Sequence, residues 1–508
     1  MNRARRLLFG SLLAVGVVRL AGYFAYAVAC LPTPLEVFHL EAKMVLLAYR
    51  VQAGAALYPE WHAYPHVANF YGPVYFVVVG LLGAATHADI PDLFRIGRGI
   101  TFASGLLTTL VLGVVLGRRS GRGAGVAGAV LSLGAAPMYG FSVMVRPDLL
   151  AETLGIGGFF LSGSRTRAGR VAAVALLVLA ILTKQTAVVF LMAAAFASAV
   201  EGHWRRAWGV LGGGLALLFA LVVAITVLSE PNLAASIVGD AKSPWIVSEW
   251  LRTLRRLVEL SPDLVLIPAI GLWLWTGRGA GTRDVRWAVL AIVLLGTSLG
   301  MSAKYGADLN YFLSLRVPES LAIGTLWHAG RTAKGRRRSA ALSAAAALAI
   351  IVMVPGTLHA ASQALLARRQ AAFLAGPTGQ SLLRSYQRGI HLARDPDYHL
   401  LTDSGLLELY PGERAAFGDP WLFRTLVDTG QIEPSLIKSR IDNQYYDLIV
   451  TTSDLNSADR ASQVFSLPNA LTVRARERYA PVREEGGLFY YGRRKDRDAP
   501  PGPDRSPE

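Results

Sequence analysis

Three carboxylates in this 508-residue chain stand just outside long apolar runs, where acid–base chemistry could be done at a membrane surface. Two lie five residues apart, in Thr33-Pro34-Leu35-Glu36 and Phe38-His39-Leu40-Glu41-Ala42-Lys43. Thr as N-cap, Pro at the first helical position and Glu three residues after the Thr form a capping box. The spacing therefore predicts a helix starting at Thr33, with Glu36 either capping it or doing chemistry. Glu41 would stand roughly 140° around that helix from Glu36. It could serve as general base toward an acceptor hydroxyl or amine, or pair with a nearby cation. The third, Asp148 in Arg146-Pro147-Asp148, opens another helix. Its charge suits the helix dipole, and a catalytic or metal-binding role equally.

Basic and polar groups near the same boundaries suggest an anionic ligand. Lys184 sits in Ile181-Leu182-Thr183-Lys184-Gln185-Thr186, between two apolar runs, where it either snorkels or holds a phosphate. Arg95 and Arg98, at the start of a later run, have the same two readings. Arg19 lies in the middle of a run, where an unpaired cation costs ~2.5 kcal/mol or more, so it needs an internal partner or a polar cavity. The segment Lys304-Tyr305-Gly306-Ala307-Asp308-Leu309-Asn310-Tyr311-Phe312 carries more donors than a turn requires. No Walker loop, zinc-protease helix or dinucleotide fingerprint occurs. The energy of any reaction must then come from a pre-activated substrate or a gradient. A single cysteine excludes an internal disulfide and any site built from several thiolates.

The elements that would position these groups follow from where charge lies. Hydrophobic residues make up 53% and charged residues 17%, against roughly 25% charged in soluble domains. Residues 358–508 hold 19 basic and 19 acidic side chains, so the net +16 lies among the apolar runs of residues 1–357. That distribution excludes a nucleic-acid partner and indicates an integral membrane protein with a water-soluble tail. Runs near the ~20 residues needed to cross the hydrocarbon core fall at 7–30, 93–117, 124–142, 149–163, 170–184, 187–200, 207–228, 263–277, 287–303, 311–329 and 340–357. The first reads as a retained signal-anchor. Alternate connections, 1–6, 118–125, 164–170, 201–206, 278–286 and 331–339, hold 19 Lys/Arg against only Glu201 and Asp284. The positive-inside rule then places the N-terminus in the cytosol and the tail outside.

In that phase, the loops bearing Glu36, Glu41, Arg146, Asp148, Lys184, Lys304 and Asn310 share the outer face. Tyr71–Ala88 is apolar enough to span, but a span there would invert every later loop. It reads instead as a juxtamembrane helix of the first outer loop, residues 31–92, with Tyr58, Trp61, Tyr64, Tyr71 and Tyr75 at the interface.

The pattern Glu41-x12-Gly54-x3-Tyr58-Pro59, followed by Phe70-Tyr71-Gly72-Pro73-Val74-Tyr75, resembles the first outer loop of the GT-C superfamily. These membrane glycosyltransferases use polyprenyl-phosphate-linked sugars, and they include protein O-mannosyltransferases and lipid A aminoarabinose transferases. Gly97-Arg98, Arg146-Pro147-Asp148, Leu182-Thr183-Lys184 and Lys304-x-Gly306-x3-Asn310-Tyr311-Phe312 follow in the order seen in that group. The resemblance covers roughly residues 7–357. It implies an inverting transferase of the bacterial cytoplasmic membrane, multi-pass, acting on the outer face on a glycan, lipid or protein acceptor. Glu41 matches the first-loop acidic position, although the chain has Leu40-Glu41 where the family often carries Asp-Glu; Glu36 or Asp148 could share or take the role of base. Asp148 matches the second-loop acidic position, and Lys184 a lysine on the lipid-linked phosphate. Arg98, Arg146 and Lys304 would join Lys184 on the donor phosphate, and Tyr58, Tyr71, Asn310 and Tyr311 would line the substrate site. Some members use a divalent cation and others none; the scarcity of clustered carboxylates favours none. The alternative is a transporter or flippase for a lipid-linked or anionic substrate.

The expected architecture is an all-α polytopic membrane protein of about 11 transmembrane helices, with juxtamembrane helices in the first outer loop and a small C-terminal α/β periplasmic domain. The boundaries are residues 1–357 for the membrane domain, 358–498 for the extracytoplasmic domain and 499–508 for a disordered tail. Within the tail domain, the pattern predicts an amphipathic helical run at 358–392 and strands at 398–402, 446–452 and 488–492. Helices are expected at 420–429 and 433–440.

Overall fold

The computed structural model describes residues 3–33, 36, 40–239, 245–276, 282–304, 308–332, 336–410, 416–457 and 466–494. The predicted disordered tail, 499–508, lies outside them, as do Tyr305 and Gly306. The chain divides into two units: Met1–Tyr58 with Asn69–Ala371, and Pro59–Ala68 with Ala372–Glu508.

Among the described residues the first unit is mostly helical, and the predicted apolar runs fall mainly on helix. Among the described residues four helices are long and apolar enough to cross a membrane, through Leu7–Cys30, Ile90–Ser120, Trp204–Leu228 and Ala340–Ala375. Shorter apolar helices include Arg122–Leu133, Gln185–Val200, Asp263–Trp273 and Val285–Met301. The run expected at 124–142 is two helices, Arg122–Leu133 and Ala136–Phe141, because Gly134 ends the first and Pro137 begins the second. Asp89 caps Ile90–Ser120 by accepting from the Asp92 N–H. That helix stops at Gly121, whose φ of 93° suits a residue without Cβ. The chain then reverses, and Gly125 packs directly on the backbone of Gly113 and Gly117, the small-residue contact that lets apolar helices approach closely.

The first outer loop differs from the capping-box expectation. Its helix runs Glu41–Gln52, eight residues later than predicted. Thr33 turns its hydroxyl back to the Ala29 carbonyl, and Leu40 takes a left-handed φ of 78°. Glu36 still acts at this N-terminus, but from a distance: its carboxylate accepts from the Ala42 N–H at 3.2 Å. The next helix, Val74–Thr86, has 13 residues, about 20 Å at 1.5 Å per residue, short of the ~30 Å hydrocarbon core. Two helices absent from the sequence reading, Leu233–Gly239 and Val247–Leu260, lie in the segment after the Trp204–Leu228 helix.

In the second unit, Gly376 separates the end of the 40-residue helix Arg336–Ala375 from Pro377–Arg394. A four-stranded sheet follows, of β1 (Leu400–Thr402), β2 (Leu448–Thr451), β3 (Tyr479–Glu485) and β4 (Leu488–Arg493), in spatial order β1-β2-β4-β3. β1 and β2 are parallel, pairing Leu401 with Ile449, while β4 is antiparallel to both β2 and β3. Leu407, Val450, Leu488 and Tyr490 form a small core there. Pro59–Ala68 joins this unit: the His66 N–H donates to Ala416 O, the His66 ring stacks on Phe423, and Arg440 lies over the Tyr64 ring.

Candidate active site

Asp148 is the hub of the polar groups in the first unit. It is the first residue of the helix Asp148–Ser162, after the N-capping Pro147. Lys184 reaches it from the break between the helix Arg167–Thr183 and the short turn Gln185–Ala187, where its extended backbone interrupts the helical path. Asn310 and Tyr311 come from the 3-10 helix Leu309–Leu315, which Asp308 caps by accepting from the Leu309 N–H at 2.7 Å. Lys184 Nζ donates to Asp148 Oδ1 at 2.6 Å and Asn310 Nδ2 to the same oxygen at 3.2 Å. Arg146 Nε donates to Oδ2 at 3.1 Å. Lys184 also lies over the Tyr311 ring and Arg146 over Phe141. Two cations converge on one buried anion, so the cluster keeps a net positive charge and fixed donors.

A pocket opens beside this cluster. Asp148, Glu152, Lys184, Asn310, Tyr311, Thr297, Ser298 and Ser314 supply its polar lining, with Ala187, Phe190 and Leu313 among the apolar walls. Polar side chains converging on a concavity with some apolar wall suit a polar small ligand. Of the residues expected to act, the structure brings Asp148, Lys184, Asn310 and Tyr311 to the pocket lining, and Arg146, bound to Asp148, stands outside that lining.

Glu41 and Arg98 form a different constellation. Arg98 Nε and Nη2 clasp the Glu41 oxygens at 2.9 and 2.8 Å, with neither side chain exposed. Arg98 also donates through Nη1 to the carbonyls of Cys30 and Thr33. Glu41 Oε1 accepts from the Val145 N–H at 2.9 Å. The pair thus pins the start of the first-loop helix to the helix Ile90–Ser120 and to the backbone just before Arg146. Glu36 is only partly buried and caps the helix that begins at Glu41.

The remaining expected residues do not line the pocket. Tyr58 is buried, its hydroxyl donating to Tyr71 O and the N–H groups of Leu57 and Tyr58 donating to Glu230. Tyr71 N–H donates to Asn69. Lys304 is buried where its backbone bridges that of Trp245. Arg95 is exposed and pairs with Asp92. Sequence reading missed Glu152 and Arg316, joined at 2.9 Å inside the bundle. The available signal was an ionisable residue one turn after Asp148 within an apolar run. Arg19 finds the partner its position demanded in Asp263, at 2.6 Å.

Among the described residues no group of three or more His, Cys, Asp or Glu is placed to hold a metal ion. Glu41, Asp148 and Glu152 each face a cationic side chain.

No protein-family description matches the sequence, and no curated protein matches it. Solved structures do. ArnT from Cupriavidus metallidurans, bound to undecaprenyl phosphate, aligns over 94% of this chain and 98% of its own, with TM-score 0.57 and 13% identity. An Archaeoglobus fulgidus oligosaccharyltransferase, in complex with zinc and sulfate, aligns over 94% of this chain and 73% of its own, with TM-score 0.53 and 12% identity. The archaeal oligosaccharyltransferase AglB from Archaeoglobus fulgidus, in complex with an inhibitory peptide and a dolichol-phosphate, aligns at TM-score 0.50 and 11% identity over 96% of this chain and 75% of its own. At such identities the likeness is one of fold: the chain shares the fold of these structures over nearly its whole length.

Proposed function

We propose that the chain is an inverting glycosyltransferase of the cytoplasmic membrane that moves a sugar from a polyprenyl-phosphate carrier to an acceptor on the outer face. The observation that carries this reading is the Asp148 cluster, with Lys184 and Arg146 held rigidly beside a pocket, in a fold shared with a protein whose structure holds undecaprenyl phosphate. A sugar on a lipid phosphate is already activated. The protein needs to stabilise the departing phosphate and accept a proton from the acceptor. Lys184 and Arg146, pre-oriented by Asp148, stabilise the charge that grows on the phosphate as the bond to the anomeric carbon breaks. The acceptor oxygen attacks that carbon from the opposite side and inverts it. Its proton passes to a carboxylate of the outer loops, for which we propose Glu36, partly buried at the first-loop helix though outside the pocket lining; the Glu41 oxygens are enclosed by Arg98 and Asp148 holds two cations. In this reading Glu41 and Arg98 position the loop and take no proton.

About eleven of the helices cross the membrane in this reading. The outer placement rests on the loop charges and on one further observation. Residues 59–68 of the first outer loop fold into the same unit as the tail, and a chain cannot pack across a bilayer, so loop and tail share one side.

Transfer of radiolabelled sugar from polyprenyl-phosphate-linked hexose or pentose to envelope acceptors, in membranes containing the protein, is the direct test. The wild type should release polyprenyl phosphate, while Lys184→Ala and Asp148→Asn lower the rate by about 100-fold, typical of losing one preorganised charge-stabilising group. Full turnover in both variants overturns the assignment. Gradient-dependent uptake of the lipid-linked sugar without transfer would establish a transporter instead.

A further inference from the structure

Glu152 lies four residues after Asp148 on the same helix, hence on the same face and about 6 Å further along the axis. Both line the pocket. Asp148 has its two oxygens engaged by Lys184, Asn310 and Arg146. Glu152 spends only one, accepting from Arg316 Nε at 2.9 Å; its Oε2 is buried without a partner. Arg316 is 1% exposed, and its Nη1 and Nη2 likewise have no partner. A buried acceptor left unsatisfied costs about 1–3 kcal/mol, and such groups in native structures call for an explanation. Here the unsatisfied oxygen belongs to the lining of a pocket that also carries the Thr297, Ser298 and Ser314 side chains.

We infer that Glu152, held in place by Arg316, recognises the far hydroxyl groups of a neutral donor sugar while Lys184 and Arg146 hold the carrier phosphate one helical turn above. This rests on the donor reading proposed for the site. The spacing fits: about 6 Å separates the two levels, comparable to the reach of a pyranose from its anomeric oxygen to its opposite hydroxyl. The charge fits as well. Arg316 lies outside the pocket lining and already balances the Glu152 charge, so an ammonium on the sugar gains little beyond what a hydroxyl gains. A carboxylate would meet the Glu152 oxygen as a like charge. A hydroxyl can donate to Glu152 Oε2 and accept from neighbouring donors at once. The apolar walls from Ala187, Phe190 and Leu313 leave a charged substituent no further counter-ion on that side.

The test uses the full-length protein in nanodiscs, with affinities taken from thermal-shift titrations. The probes are undecaprenyl phosphate, its glucosyl, galactosyl and mannosyl forms, and the 4-amino-4-deoxyarabinosyl form. Wild type should bind at least one hexosyl lipid roughly 10- to 100-fold more tightly than undecaprenyl phosphate, the gain of a hydrogen bond to a charged group. It should bind the amino-sugar lipid no more tightly than that hexosyl lipid. Glu152→Gln should lower the gain, and the double variant Glu152→Leu/Arg316→Met, which leaves no lone buried charge, should abolish it. The double variant decides the matter if the single one fails to fold. Retention of sugar discrimination in the double variant, or tighter binding of the amino-sugar lipid than of every hexosyl lipid, overturns the inference. Failure of wild type to bind any of the lipids, with Lys184→Ala behaving identically, would bring down the donor reading itself. Lysine-dependent binding of undecaprenyl phosphate with no gain for any sugar would overturn this inference alone.

Discussion

Glu41 and Arg98 are 57 residues apart in sequence, yet each is the other's main partner, at 0% exposure. Spacing marked both residues, but a pairing across separate elements has no local signature, so the sequence left each open between chemistry and structure. The geometry makes a prediction. Arg98→Ala leaves a buried carboxylate whose principal counter-ion is gone, and should cost about 3–5 kcal/mol, seen as a marked fall in the thermal midpoint in detergent. Replacing both, as Glu41→Leu/Arg98→Met, should recover much of that loss. If Glu41 were the base, the double variant would be stable and inert; as a positioning residue it leaves measurable transfer. Glu408 in the second unit is another buried carboxyl, and burial raises it to about 8, against partial relief from the Phe417 and Ala416 N–H groups. Its folded pKa lies above the unfolded one, so the folded state binds the extra proton between about 4.5 and 8. Stability from this group is complete below that window and falls as pH rises through it, by up to about 5 kcal/mol. His66, in the same unit, works oppositely: burial lowers its pKa, so its contribution is present above about 6.5 and is lost on acidification. Glu408→Gln should flatten the decline in hydrogen-exchange protection of residues 400–410 between about pH 4.5 and 8 and leave the His66 loss on acidification unchanged.

At the scale of elements, apolar length was the readable signal. The predicted runs fall mainly on helix among the described residues, four of them in helices long and apolar enough to cross a membrane, and a chain in lipid satisfies its backbone in that form. Where the reading failed, the element was short or its pattern masked. The helix Val247–Leu260 was hidden by Arg252, Arg255 and Arg256 on a polar face, while Val247, Leu251 and Val258 remain exposed. β3 was missed because Tyr-Ala-Pro-Val-Arg-Glu-Glu holds a proline and three charges; it is an edge strand with a bulge at Pro481/Arg483, where both are tolerated. The capping box misled because Thr33 turned back to the preceding helix. The site depends on one contact that no pattern shows: Gly72 lies so close to the Leu182 carbonyl that a Cβ would overlap backbone. Leu182 is two residues from Lys184. Gly72→Ala should therefore push apart the first loop and the break that presents Lys184, costing about 1–3 kcal/mol. Donor affinity should fall more than Gly99→Ala causes, since Gly99 has open space for a Cβ. Equal affinity in the two variants would remove Gly72 from the site's support.

For the whole molecule the decisive quantity is sidedness, because every proposed chemical role needs Glu36, Asp148, Lys184 and the tail on one aqueous face. Two observations support the proposed arrangement, one on the loops and one on the tail. Guanidinium groups crowd alternate connections, with 19 Lys/Arg against two acids, and a membrane potential with anionic inner lipids retains such loops in the cytosol. Separately, Pro59–Ala68 packs within the unit that contains the sheet, through His66 on Phe423 and Tyr64 against Arg440. The first argument uses only charge and the second only packing, so an error in the span count would set them in conflict. The chain also simplifies the measurement, since its one native cysteine, Cys30, is buried. Single cysteines at Thr166, in the basic connection 164–170, and at Gln431 in the tail can be probed with an impermeant maleimide on intact cells. Gln431→Cys should label from outside, and Thr166→Cys only after the membrane is opened. Labelling of both from outside would move the basic loops to the outer face and separate Lys184 from the compartment in which the tail resides. The phosphate pocket and the acceptor would then face different solutions, and a single displacement at the anomeric carbon could not join them.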